Sequence, residues 1–153
     1  MNTRNAAAAV LLVTFTFALA TTLRAAPLDS QTLAEQWVKR LASTMQGQAS
    51  AADVDRLLEL YADDAVYEHP HANARIEGKA KMRAGISSHL GETRAAKLQI
   101  TQTLSGEGFA VIEFTVDLEL RQNEKWLPMH RRQVVVLEFR ADHIQRIIDH
   151  WAR

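Results

Sequence analysis

No cysteine occurs anywhere in the 153 residues. That excludes disulfides, thiol nucleophiles and thiolate metal sites, so stability has to come from the core alone. An excess of either charge is missing too: 18 Lys and Arg balance 18 Asp and Glu. A nucleic-acid surface would need a basic stripe. The pairs Lys39-Arg40 and Arg131-Arg132 are expected instead on solvated faces or in local ion pairs, and no nucleic-acid partner is expected. No G-x-S-x-G is present, so Ser87-Ser88-His89 has no nucleophile-elbow context and a serine hydrolase is unsupported. The apolar N-terminal stretch falls short of the about 20 residues a membrane span requires. No internal repeat interrupts the chain.

What is present is the composition of one globular domain, 47% hydrophobic and 24% charged, long enough to bury a proper core. Its start reads as a secretory signal: Arg4, an apolar run over residues 6–17, then the small-x-small Ala18-Leu19-Ala20. The expected organisation is a signal peptide over 1–20, a linker over 21–32 and a domain over 33–153. Cleavage as late as 26 is the alternative, with Ala25 and Ala26 as the other cut points. Bacterial export to the periplasm or medium follows, with no stable membrane association once the signal is removed.

Asp29 or Ser30 is the expected cap of a first helix, whose apolar stripe is Leu33, Trp37, Val38, Leu41 and Met45. Ser50-Ala51-Ala52-Asp53 has the form of a capping box opening a second helix, with Val54, Leu57, Leu58 and Tyr61 on one face. Asp63-Asp64 is expected to be the turn that ends it. Period two then sets in: Tyr67 and His69 share one face of a short strand, Val66 and Glu68 the other, and Pro70 ends pairing. A polar connection leads through Ile76-Glu77-Gly78 into a third helix marked by Met82, Ile86 and Leu90.

The rest reads as antiparallel sheet. Ile112, Phe114, Val116, Leu118 and Leu120 alternate with Glu113, Thr115, Asp117 and Glu119, so one face of that strand is core and the other wet. Turn chemistry at 105–108, 122–124 and 141–142 separates this strand from its neighbours. Helices first and a meander afterwards is an α+β pattern with helices on one sheet face.

The run Leu60-Tyr61-Ala62-Asp63-Asp64-Ala65-Val66-Tyr67-Glu68-His69-Pro70 resembles the helix-to-strand junction of ketosteroid isomerases and SnoaL-like polyketide cyclases of the NTF2-like superfamily. The element order and the ending Ile147-Ile148-Asp149-His150-Trp151 are similar as well. The resemblance implies an NTF2-like cone, three N-terminal helices packed on a curved antiparallel sheet around one mostly apolar pocket. It also implies homodimerisation. His69 stands where the isomerases carry their catalytic carboxylate, Trp37 where they carry a tyrosine donor, and Val135 where they carry a protonated aspartate. Enolate stabilisation needs a base and two donors, and valine donates nothing, so steroid isomerisation by that route is not expected.

The candidate chemistry therefore centres on His69 as general base or acid, with Asp149 orienting it. Asp149 pairing with Arg131 instead is the alternative. Trp37, Tyr61, Tyr67, Arg131, Val135 and Trp151 are expected to line the site and bind a small apolar or cyclic molecule. His69-Pro70-His71 invites a metal reading, but proline at its centre breaks the strand and no spaced set of further ligands accompanies it, so neither metal nor cofactor is expected. Isomerisation, cyclisation, dehydration and hydrolysis all fit a site of this kind. A non-catalytic ligand carrier and a dimeric interaction module are the rival readings.

Overall fold

The computed structural model describes residues 29–151, and the expected signal segment lies outside them. Helix α1 (Ser30–Thr44) opens on Asp29, whose carboxylate accepts the Thr32 N–H at 2.8 Å. That cap places its start three residues ahead of the expected domain boundary at 33, inside the stretch assigned to a linker. Leu33, Trp37 and Val38 are buried as the stripe requires, with Leu41 and Met45 packed at the margin. In α2 (Ala51–Leu58) the Asp53 carboxylate reaches back to the Ser50 N–H at 2.8 Å, the reciprocal half of a capping box.

The junction after α2 differs from the sequence expectation. The helix stops at Leu58, and β1 (Tyr61–His69) begins before the two aspartates. Asp63 and Asp64 lie within the strand, where the six residues from Tyr61 to Val66 lie against only three on the neighbouring strand, Ile144 to Arg146. This bulge lets a polar pair sit exposed in mid-strand while Tyr61 and Ala65 stay buried. A short 3₁₀ turn (Pro70–Ala72) carries His71 off the strand, and β2 (Ala74–Glu77) returns antiparallel to β1.

Gly78 then turns the chain into α3 (Lys79–Ser88) at φ 88°, its N–H donating to the Ala65 carbonyl at 2.8 Å. A Cβ there would meet only the Asp63 carbonyl at 3.8 Å, so the backbone angle and not space demands glycine. Gly78→Ala is expected to cost about 1–2 kcal/mol, the left-handed penalty for an L-residue, read as a lower urea midpoint at unchanged slope.

Four long strands follow: β3 (Thr93–Gly106), β4 (Phe109–Gln122), β5 (Lys125–Arg140) and β6 (His143–Trp151). The last two connections are two-residue turns with both residues at positive φ, Asn123-Glu124 and Ala141-Asp142, which suit the twist of the strands they join. Sheet order is β2-β1-β6-β5-β4-β3, an unclosed six-stranded sheet bent by shifts of register in three of its pairings. It is not wholly antiparallel, as expected from sequence: β1 and β6 run parallel. Connectivity permits the parallel pairing, because α3 and four strands intervene before β6 returns beside β1. Nor do all helices precede the sheet, since α3 lies between β2 and β3.

Ala110, Ile112, Phe114, Val116 and Leu118 of β4 form the centre of the core with Val54 and Leu57 of α2, Val135 and Leu137 of β5, and Ile144 and Ile147 of β6. The opposite face of β4 is wet and charged: Arg132 meets Glu113 at 2.5 Å, His130 meets Asp117 at 2.6 Å, and Arg94 meets Glu119. Pro128 fits inside β5 because β6 pairs only as far as Gln133, leaving the N-terminal half of β5 an edge on that side. Among the described residues no helix is long and apolar enough to cross a membrane.

Candidate functional site

Three neighbouring strands carry the site on the core-facing side of the sheet. Alternation on β5 brings Arg131, Gln133 and Val135 to that face, and on β6 it brings Ile147, Asp149 and Trp151. Register then pairs Gln133 with Trp151 and Val135 with Asp149. From β1, Tyr67 lies opposite Ile147, and His69 follows two residues on along the same face. These residues, far apart in sequence, form one cluster.

Asp149 is its hub, only 7% exposed. Its carboxylate accepts the Gln133 side-chain N–H at 2.6 Å and the Tyr67 hydroxyl at 3.1 Å. Burial pushes its pKa above the usual carboxylate range, while the donors from Gln133 and Tyr67 and the nearby charges of Arg131 and His69 pull it partly back. The same burial, reinforced by the negative Asp149, pushes the Tyr67 phenol well up, so it stays a protonated donor.

His69 is 6% exposed and meets Asp149 differently from expectation. The contact runs not to the carboxylate but to the backbone carbonyl of Asp149, from Nδ1 at 2.8 Å. A carbonyl only accepts, so Nδ1 carries a proton, and the tautomer this contact selects has its lone pair at Nε2. Asp149 thus fixes the tautomer through its main chain, while its side chain is engaged by Tyr67 and Gln133.

Trp151 packs against both His69 and Arg131. The His69 ring stacks on the indole at 4.5 Å between centroids and 13° between planes, and the Arg131 guanidinium lies 4.9 Å from the indole centroid. Arg131 makes no ion pair with Asp149, the alternative raised by sequence, and acts on it only as a nearby charge. Burial lowers the Arg131 pKa, opposed by Asp149.

Trp37 does not offer a free donor as the resemblance suggested. Its indole N–H donates to the Tyr61 hydroxyl at 2.8 Å, deep in the core, and its ring meets the edge of Phe114. Tyr61 is fully buried, and that burial raises its phenol pKa. Among the described residues its hydroxyl has no acceptor for its own proton. Val135 reaches the inward face, fully buried, and supplies only apolar wall. His71 is 6.2 Å from the His69 ring and 5.8 Å from that of His150. Among the described residues no three His, Cys, Asp or Glu side chains are disposed to hold a metal ion.

Gln133 is the residue that sequence reading passed over. Its signal was its parity: a polar side chain between Arg131 and Val135 on the inward face, 3% exposed. A cleft of about 560 Å³ lies elsewhere, between the start of α1 and the β3–β4 turn, lined by Asp29, Thr32, Glu35, Ser105 and their neighbours. It holds none of the residues of the cluster.

The three helices, the curved mixed sheet and an inward polar cluster together define an α+β protein of the NTF2-like class. Residues 36–147 match the SnoaL-like domain, and the chain belongs to that family. Solved structures carry the same fold. A protein provisionally named a SnoaL-like polyketide cyclase, from Shewanella putrefaciens CN-32, superposes with a TM-score of 0.68 at 13% identity, over 80% of this chain and 88% of its own. A hypothetical protein with a ketosteroid isomerase-like fold from Catenulispora acidiphila DSM 44928, in complex with trimethylamine, gives 0.61 at 16% identity, over 76% and 85%. An epoxide hydrolase from M. tuberculosis gives 0.61 at 20% identity, over 79% and 84%. No curated protein matches the chain.

Proposed function

We propose that this chain is an exported enzyme of general acid–base chemistry on a cyclic metabolite, held in a cone-shaped pocket between the helices and the concave sheet face. The observation that carries the reading is the Asp149 main chain holding His69 Nδ1–H at 2.8 Å, which leaves Nε2 as a base. Asp149 contributes twice, fixing the tautomer through its carbonyl and stabilising the imidazolium through its charge. Tyr67 and Gln133 hold that carboxylate in place. Tyr61, with the Trp37 N–H donating to its oxygen, is a polarised hydroxyl that would donate its own proton to developing negative charge. The family's association with cyclases, isomerases and an epoxide hydrolase supports proton transfer as the shared step. The small-residue motif at 18–20 supports export.

The test is hydrogen–deuterium exchange at carbon. Mature protein is incubated in D₂O with a panel of cyclic ketones and keto acids, and loss of the α-proton signal is followed by NMR. Enzyme-dependent exchange of at least one member is expected, and it should vanish in His69→Gln. Exchange that persists in that variant overturns the assignment of the base. Binding without any exchange supports a carrier instead.

A further inference from the structure

Among the described residues, two polar groups of the cluster have no partner. Gln133 spends its N–H on Asp149, and its Oε1 is buried with nothing to accept from. Two residues away on the same face, the Arg131 Nε is buried and likewise unpartnered, and among the described residues its guanidinium makes no salt bridge. Buried orphans are costly, the more so for a charged group, so a pair on one face marks a place where something binds. They are complementary in kind: Arg131 can only donate, and Gln133 Oε1 can only accept. Asp149 does not neutralise Arg131, because its carboxylate is committed to Tyr67 and Gln133. The Trp151 indole lies under the guanidinium and fixes where it sits.

We propose that the ligand of this site is a cyclic or aromatic hydroxy acid, its carboxylate bound by Arg131 and its neighbouring hydroxyl donating to Gln133 Oε1. The proposal rests on the acid–base reading only for its location, and names the substrate class of that same site. A planar fork suits a carboxylate, and partial exclusion of water strengthens the pairing. A neutral ketone would satisfy neither orphan as well: it brings no donor for Gln133 and no charge for Arg131. The arrangement also orients the ligand, because the two anchors differ in chemistry and only one end fits each.

The test reads equilibrium binding and not turnover. Mandelate, salicylate and 2-hydroxycyclohexanecarboxylate are titrated against the mature protein by tryptophan fluorescence, each beside its primary amide and its counterpart lacking the hydroxyl. At least one acid is expected to bind about 10-fold or more tightly than its amide, and several-fold more tightly than its deoxy counterpart. Arg131→Gln should abolish the preference for acid over amide, and Arg131→Lys should restore part of it. Gln133→Met should abolish the preference for the hydroxyl while keeping that for the acid. Circular dichroism of each variant separates loss of binding from loss of fold. The proposal is overturned if acids bind no better than amides across the set, or if the preference survives Arg131→Gln. Repeating the titrations in His69→Gln distinguishes the two readings: failure of the base assignment leaves acid binding in place, and failure of the anchor is seen in the wild type itself.

Discussion

Phe114→Ala is expected to lower the unfolding free energy by about 3–5 kcal/mol, the usual range for emptying a large aromatic site in a core. Phe114 is fully buried on β4, opposite Ile100 of β3 and Gln133 of β5, with Trp37 of α1 against its ring at 6.2 Å and 72°. It is therefore the point where sheet and first helix meet. Neighbours on two flanking strands are fixed by backbone hydrogen bonds, so the void cannot close by simple collapse. Against a total stability of about 5–15 kcal/mol for a domain, such a loss leaves a small margin. With no disulfide to compensate, urea titration should show a large drop in midpoint at unchanged slope. Phe114→Leu should recover more than half of the deficit. The effect should also reach the site, because the Trp37 ring packed on Phe114 holds the N–H that Tyr61 accepts. A deficit under about 1 kcal/mol would contradict the packing described.

Most of the fold was legible because it rests on periodicity. The stripe of α1, the capping box at Ser50 and Asp53 and the alternation along β4 are local patterns, and each maps onto one element. What escaped was what depends on neighbours. Tyr61 completes the helical stripe with Val54, Leu57 and Leu58, yet it opens a strand; a buried aromatic satisfies both periods equally. The parallel pairing of β1 with β6 joins residues some eighty positions apart, and no local signal encodes it. The site divides in the same way. Tyr67, His69, Arg131, Asp149 and Trp151 were all named as candidates from sequence, and the structure brings them together. Which atom of Asp149 faces His69 depends on the offset between adjacent strands, so a side-chain dyad was expected and a main-chain contact is found. Gln133 went unnoticed because a glutamine in a strand has an ordinary solvent-facing reading, which only its buried neighbours exclude.

Asp149→Asn is expected to separate stability from function. Burial raises the folded-state pKa of Asp149 above its ordinary value near 3.8, so the native state holds this proton where the unfolded chain has released it. The resulting contribution is fully present below the unfolded value and is lost as pH rises through the folded one. At neutral pH the protein therefore carries the cost of a buried carboxylate, from which an asparagine is exempt. The hydrogen bonds survive the exchange. The new amide oxygen can accept the Tyr67 hydroxyl, and a half-turn of the Gln133 amide offers its now unpartnered Oε1 to the new N–H. A gain on the order of 1 kcal/mol is expected at pH 7, shrinking towards zero below about pH 4. Comparing urea midpoints of the two proteins at both pH values cancels every other titrating group and isolates this one. Activity should move the opposite way. The backbone contact to His69 persists, so the tautomer remains, but the charge that stabilises the imidazolium is gone. Proton exchange should fall by about 10²–10⁴-fold. A stability gain that is the same at pH 4 and pH 7 would place the origin in packing and not in charge. Full exchange activity in the variant would reduce Asp149 to a structural residue and leave His69 to act without its carboxylate.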